Sequence, residues 1–102
     1  MSEGWTFFDY VRIKGALGYL KGVAKNDTVT NFHIALDKKL SEIRTIANRN
    51  KEYFENEGSQ VISLLEDINS LEFNKGSRQK VVDKINLALA KHEKGQKYYK
   101  GG

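Results

Sequence analysis

The sequence predicts an all-α protein, a small four-helix bundle whose helices differ in length. Apolar residues recur at intervals of three and four along most of the chain, which is the spacing of a helix face. The alternation of apolar and polar residues that is typical of strands is nowhere convincing. The chain also contains no proline, the residue that most strongly interrupts a helix. We expect the four helices to cover about 6–25, 28–57, 60–73 and 78–94.

The first helix is expected to begin at a capping box, Thr6-Phe7-Phe8-Asp9. In this motif the threonine hydroxyl and the aspartate carboxylate satisfy backbone amides of the first turn. Trp5 and Tyr10 have the spacing of a hydrophobic staple across the same cap. The two signals together place the start of the helix at Thr6.

The second helix is expected to follow Asp27, a good N-cap residue, and to end near Gly58. Its apolar stripe lapses at Asn48-Arg49-Asn50, so a kink is predicted there. The stripe consists of Val29, Phe32, Leu36, Leu40, Ile43, Ala47 and Phe54.

The last two helices are each preceded by a serine, Ser59 and Ser77, and serine is a favourable N-cap. The chain from Gly95 onwards reads GQKYYKGG, which is basic and rich in glycine. We therefore expect a single helical domain, 1–94, followed by a flexible basic tail, 95–102. The predicted core consists of Leu36, Leu40, Ile43, Leu64, Leu65, Ile68, Val82, Ile85 and Leu89.

Composition limits the chemistry that this chain can carry out. It has no cysteine, which excludes disulfides, thiolate metal ligands and cysteine nucleophiles. Its two histidines, His33 and His92, lack the spacing of metal ligands. Each lies beside an apolar stripe, and we interpret each as a residue at the boundary of the core. We expect neither a metal nor a cofactor.

The charge pattern argues against a membrane span but does not identify a partner. The formal net charge is +4 and the isoelectric point is about 9.3. The most apolar window, 5–24, contains Asp9, Arg12, Lys14 and Lys21, and four charges disfavour insertion into a bilayer. No signal peptide is visible, so we expect a cytoplasmic protein.

No catalytic constellation is found in the sequence. Glu52, Glu55 and Glu57 cluster before Gly58, and we interpret them as a solvated acidic helix end rather than as catalytic carboxylates. The serines lack the context of a nucleophile elbow, and no phosphate-binding loop is present. We therefore expect a protein that is not an enzyme, and no small-molecule substrate is evident.

Three glycines in the first helix, Gly15, Gly18 and Gly22, are its most unusual feature. Each is expected to weaken the helix by about 1 kcal/mol relative to alanine. On a helical wheel they share one face with Phe8, Val11 and Tyr19, and the opposite face carries Ile13, Leu17, Leu20 and Ala24. Three interpretations are open. Other helices of the bundle cover the glycine side, a partner or a second copy covers it, or the helix breaks near residues 15–18.

The sequence favours a protein-binding module such as an inhibitor, an immunity protein, an adaptor or a chaperone. Its partner would be another protein or a second copy of the chain. The residues predicted to bind it are Phe8, Val11, Gly15, Gly18, Tyr19 and Gly22.

Nucleic-acid binding is the alternative function, because lysines follow one side of the last helix and continue into the tail with two tyrosines among them. The residues predicted to carry it are Lys80, Lys84, Lys91, Lys97, Tyr98 and Tyr99.

Overall fold

Four long helices form a bundle in the computed structural model, which describes residues 7–26, 28–71 and 76–98. The described residues contain no strand, and the predicted fold class is confirmed. The elements are α1 (Phe7–Asn26), α2 (Val29–Ala47), α3 (Lys51–Tyr53), a π-helical segment (Phe54–Gly58), α4 (Ser59–Ser70), α5 (Arg78–Glu93) and a 3-10 turn (Lys94–Tyr98). Since α3, the π segment and α4 continue directly into one another, they form the third long helix.

The core lies where α1 packs against α2 and α5, and where α4 packs against α5 and α2. Nearly all of the predicted core residues are buried there. Leu64 and Leu89 are the exceptions, since they are only partly buried and pack against the edge of the core. The apolar stripes of α4 and α5 therefore face the core as predicted, but each predicted stripe includes one residue too many.

The chain breaks between α2 and α3, where the sequence predicts a kink within one helix of 28–57. Asn50 has an extended backbone, and its side-chain oxygen accepts a hydrogen bond from the Tyr53 amide at 3.2 Å. It is therefore the N-cap of a new helix. The start of α2 also differs from the prediction, because the Thr28 hydroxyl accepts from the Asn31 amide and takes the N-cap position. Asp27, Trp5 and Thr6, which were assigned to predicted caps, lie outside the described residues.

Gly58 does not end a helix, contrary to the prediction. It lies within the third long helix with a φ of −60°, so it never adopts the left-handed conformation of a terminating glycine. Ser59 is correspondingly not a cap, because its hydroxyl donates backwards to the Asn56 carbonyl at 2.8 Å. The extra residue of the π segment keeps the helix continuous.

Gly58 is required instead by the close approach of the Tyr53 ring. A Cβ atom at Gly58 would lie 2.8 Å from the Tyr53 ring and 2.9 Å from the Tyr53 carbonyl oxygen. Gly95, in the 3-10 turn, approaches the other edge of the ring, and its Cβ would lie 2.7 Å from that ring. The buried Tyr53 side chain is therefore held between Gly58 of its own long helix and Gly95 of the 3-10 turn after α5.

The first residues of the predicted flexible tail, 95–98, belong to a 3-10 turn in the structure. The 3-10 turn covers Lys94–Tyr98, Gly95 is buried, and the Tyr98 ring packs edge-on against Tyr53 with 6.0 Å between ring centroids. Tail residues 99–102 lie outside the described part of the chain. The glycine that was interpreted as a helix end is thus a packing residue.

We expect Gly95→Ala to destabilise the protein by about 1–3 kcal/mol, since the added methyl overpacks against a buried ring. The matched variant is Gly22→Ala, because no described residue lies within 4 Å of a Cβ atom added at Gly22. Urea unfolding of both variants measures the difference. A Gly95→Ala protein as stable as Gly22→Ala would show that Tyr53 is not held in this way.

Candidate protein-binding face

The two faces of α1 have different environments. Ile13, Leu17, Leu20 and Ala24 are fully buried against the neighbouring helices. Since these four residues form the aliphatic side predicted from the helical wheel, the orientation of α1 in the bundle is set by its bulky apolar residues. Its opposite side is left towards solvent.

The glycine face, which we define as Phe8, Val11, Gly15, Gly18, Tyr19 and Gly22, is exposed along its whole length. Among the described residues, nothing lies within 4 Å of a Cβ atom added at Gly15, Gly18 or Gly22. The interpretation that other helices of the bundle cover the glycines is therefore wrong. The interpretation of a broken helix is also wrong, because α1 runs without interruption from Phe7 to Asn26.

Large aromatic side chains lie at both edges of the glycine face. Phe8 is 74% exposed and Tyr19 is 54% exposed. Phe7, which the sequence analysis did not select, is also exposed and packs edge-on against Phe8 with 6.4 Å between ring centroids. Its position on the wheel beside Gly18 could have identified it. Exposed aromatic rings around a flat strip of backbone are typical of interaction surfaces.

A groove of about 520 Å³ runs beside the glycine face, between α1 and α2. We call it the α1–α2 groove, and it is lined by Tyr19, Val23, Asn31, Ile34, Ala35, Lys38 and Lys39. Ile34, another residue that the sequence analysis did not select, is 55% exposed at its wall. The Lys39 ammonium lies 5.0 Å from the centre of the Tyr19 ring, so a cation–π contact joins the two helices at the groove.

The charges that surround the glycine face are basic. Of the charged residues on α1, Arg12, Lys14 and Lys25 are exposed and Lys21 is partly exposed. Asp9 is the acidic residue of α1, and it is buried in an ion pair with Arg49, with 2.9 Å between Oδ1 and Nη1. The exposed side of α1 therefore presents positive charge alone.

His92 is fully buried and not a boundary residue as predicted. Its ring stacks on Tyr10 with 4.4 Å between centroids, and its Nε2 lies 2.9 Å from the Tyr10 carbonyl oxygen. Since a carbonyl only accepts, Nε2 carries the proton, and Nδ1 accepts from the Tyr53 hydroxyl at 2.7 Å. Gln96 donates to the Tyr10 hydroxyl at 3.0 Å.

His33, by contrast, is partly buried, as a boundary residue should be.

The environment of His92 keeps its imidazole neutral. Burial lowers the pKa of His92 to about 4, and the nearby Lys14 charge acts in the same direction. The bond to the Tyr10 carbonyl and the Glu93 charge oppose this shift in pKa. The buried cluster of His92, Tyr53 and Tyr10 joins α1, α3 and α5, and its hydrogen bonds fix the bundle rather than face a site.

The acidic cluster at the π segment is only partly the solvated face that was predicted. Glu52 and Glu55 are exposed, but Glu57 is buried. Burial alone would raise the pKa of Glu57, yet the Tyr98 hydroxyl, a backbone amide and the Lys97 ammonium together lower it. Lys97 Nζ lies 3.4 Å from Glu57 Oε2. In turn, burial and the bond to Glu57 raise the pKa of Tyr98 to about 12.

These contacts occupy part of the predicted nucleic-acid surface. Lys97 is paired with Glu57 and lies 5.3 Å from the centre of the Tyr98 ring, and Tyr98 packs on Tyr53. Lys80 is exposed, while Lys84 and Lys91 are partly buried along α5. Tyr99 lies outside the described residues. Among the described residues, the structure therefore leaves a stripe of three lysines, and the one described tyrosine of the predicted surface, Tyr98, is already packed on Tyr53.

Salt dependence tests this lysine stripe. If Lys80, Lys84 and Lys91 contact phosphates, replacing all three with glutamine should reduce the log–log salt slope of DNA or RNA binding by about 0.7–0.9 per lost contact. The slope is measured by fluorescence anisotropy between 50 and 200 mM salt, roughly the range in which such contacts are lost. An unchanged slope would exclude α5 as the surface that follows the phosphate backbone.

The described residues hold no group of three or more His, Asp or Glu side chains that could bind a metal ion. Within the same ranges, no helix is both long enough and apolar enough to cross a membrane.

Comparison of the chain with protein-family models, with curated protein sequences and with solved structures finds no match.

Gly18→Ala should stabilise the protein by up to about 1 kcal/mol, because alanine is the better helix former and the added methyl meets open space. The effect is measured by thermal melting followed by circular dichroism. A loss of stability would mean that Gly18 is covered in solution, for example by a second copy of the chain. Melting at several protein concentrations separates that case from a local effect.

Proposed function

We propose that this protein is a non-enzymatic protein-binding module that acts through the glycine face of α1. The observation that carries the proposal is that three helix-weakening glycines lie on an exposed face where no other part of the described chain needs them. Each gives up helix stability of about 1 kcal/mol without improving the packing of the bundle. A contact with another molecule would explain why the chain keeps three glycines that lower the stability of its first helix.

The physical role of these glycines is to let another chain come close. A helix without side chains along one strip can approach a second helix with its backbone nearer than usual, as small residues permit at tightly packed helix pairs. Phe8 and Val11 beside the strip supply apolar area that a partner would remove from water. An inhibitor, an immunity protein, an adaptor or a chaperone would each use such a face.

Photo-crosslinking in the cells that make this protein tests the proposal. A benzophenone amino acid is placed at position 8, on the glycine face, or at position 87 on α5. Both natural residues, Phe8 and Leu87, are large, apolar and exposed, so the two positions form a matched pair. We expect a discrete covalent adduct with a protein from position 8 and none of the same mass from position 87.

Two further treatments make the crosslinking result decisive. Nuclease digestion before irradiation should leave the adduct unchanged, whereas loss of the adduct would favour the nucleic-acid alternative. The proposed function would be contradicted if positions 8 and 87 gave adducts of the same masses, or if position 8 gave no adduct. An adduct with twice the mass of the chain would identify the partner as a second copy.

A further inference from the structure

The α1–α2 groove is lined by apolar side chains of both helices together with polar ones, among them two lysines. Tyr19 and Val23 of α1 face Ile34 and Ala35 of α2 across it, and Tyr19 and Ile34 each expose more than half of their surface. Lys38 and Lys39 are part of the lining, and none of the described lining residues carries a carboxylate. A volume of about 520 Å³ is large enough to receive one or two bulky apolar side chains.

We propose that the α1–α2 groove binds an acidic amphipathic helix of a partner protein, with an apolar side chain inserted between Tyr19 and Ile34 and carboxylates paired with Lys38 and Lys39. This inference rests on the proposed function and adds the chemistry of the partner to it. Tyr19 belongs to both the glycine face and the groove lining. One helix lying along α1 would therefore cover the glycines and fill the groove together.

Charge complementarity identifies the partner as acidic. Lys38 and Lys39 line the groove, and Arg12 is exposed on the same flank of α1 as Tyr19 and Val23. Opposite charges on the partner would speed association and fix its register, and like charges would be repelled. A second copy of this chain would bring the same basic residues together, and its net charge of +4 adds to that repulsion.

The shape of the surface favours a helix over other acidic partners. The strip of glycines is straight and follows one face of α1, which is the contact that a second helix axis can use. The described chain offers no strand edge to which an extended peptide could add. A nucleic acid would find lysines here, but the walls between Tyr19 and Ile34 suit an aliphatic or aromatic side chain better than a phosphate.

Nuclear magnetic resonance titration with two synthetic peptides tests the inference. Both peptides are about 18 residues long, to match the roughly 30 Å length of α1, and carry leucine at helical spacing. They differ only in having glutamate or lysine at the remaining positions. We expect the glutamate peptide to bind and to shift the amide signals of Tyr19, Val23, Ile34 and Lys38, and the lysine peptide not to bind.

Charge-reversal variants of equal net charge supply the control. Lys38→Glu with Lys39→Glu should weaken binding of the glutamate peptide about tenfold or more, since two favourable pairs become repulsive. Lys80→Glu with Lys84→Glu changes the net charge equally but lies on α5, and should leave the affinity within about twofold. Melting curves of the variants confirm that each remains folded.

Several results would overturn the inference. Equal binding of the two peptides, equal weakening by both charge-reversal variants, or shifted signals that lie outside the α1–α2 groove would each do so. Displacement of the glutamate peptide by a short DNA duplex would assign the groove to nucleic acid instead. If the adduct from position 8 forms but survives Lys38→Glu with Lys39→Glu, the proposed function stands and the acidic partner is wrong. If no adduct forms from position 8, the proposed function itself fails.

Discussion

Replacing Tyr53 with alanine should destabilise the protein by about 3–5 kcal/mol, the range for loss of a fully buried aromatic side chain. The ring fills the space between Gly58 and Gly95, and neither glycine has a side chain that could move in to fill the cavity. Removing it also deprives His92 Nδ1 of its hydrogen-bond donor. Urea unfolding followed by circular dichroism measures the loss.

Tyr53→Phe separates the ring from its hydroxyl. The phenylalanine keeps the packing between the two glycines but leaves His92 Nδ1 unbonded in the interior, at a cost of about 1–3 kcal/mol. We therefore expect a smaller loss than for Tyr53→Ala. If the two variants were equally stable, or if Tyr53→Ala cost less than about 1 kcal/mol, the ring would not be a central part of the core.

Acidification should remove about 3 kcal/mol of stability through His92 alone. The folded pKa of about 4 lies below the ordinary value of 6.5 in the unfolded chain. Between these two pH values the unfolded chain binds a proton at His92 and the folded protein does not. The free energy of unfolding therefore falls as the pH falls from about 6.5 to about 4. Glu57 acts in a lower window, because its pKa is lowered and its contribution is lost only below its ordinary value of 4.5.

Urea unfolding at pH 7 and at pH 4.5 measures this loss for the wild type and for His92→Gln. The glutamine variant should lose much less stability between the two pH values, because it lacks the buried imidazole. The imidazole signals of the wild type provide a second test that does not depend on the variant. A His92 ring that protonates near pH 6.5 while the protein stays folded would contradict the buried cluster.

Sequence periodicity predicts the helices and their buried faces because both depend on local spacing. The two faces of α1 follow directly from the positions of Leu17 and Leu20 opposite Gly15 and Gly18. The break at Asn50 is visible in the sequence as a lapse of the apolar stripe. Whether such a lapse is a kink or the start of a new helix depends on one side-chain hydrogen bond, from the Tyr53 amide to Asn50, which the sequence does not show.

The features that sequence reasoning misses are those that depend on how side chains pack in three dimensions. Gly58 and Gly95 resemble helix ends, and only the position of the Tyr53 ring between them shows that they are packing residues. His92 has the pattern of a boundary residue until Tyr10 and Tyr53, from other helices, supply both of its hydrogen bonds. Three interpretations of the glycines in α1 are open from the sequence, because the sequence does not show which helix lies on which side of α1.

The central claim is that the glycine face binds another protein without contributing to the fold, and Gly18→Leu tests it most directly. The added side chain enters open space in the free protein, so we expect a melting temperature equal to or higher than that of the wild type. In a complex it would occupy the strip where the partner helix approaches, so the adduct from position 8 should disappear. The control is Ala90→Leu, a similar enlargement at an exposed position of α5, which should keep the adduct. An adduct that survives Gly18→Leu at wild-type yield would contradict the claim.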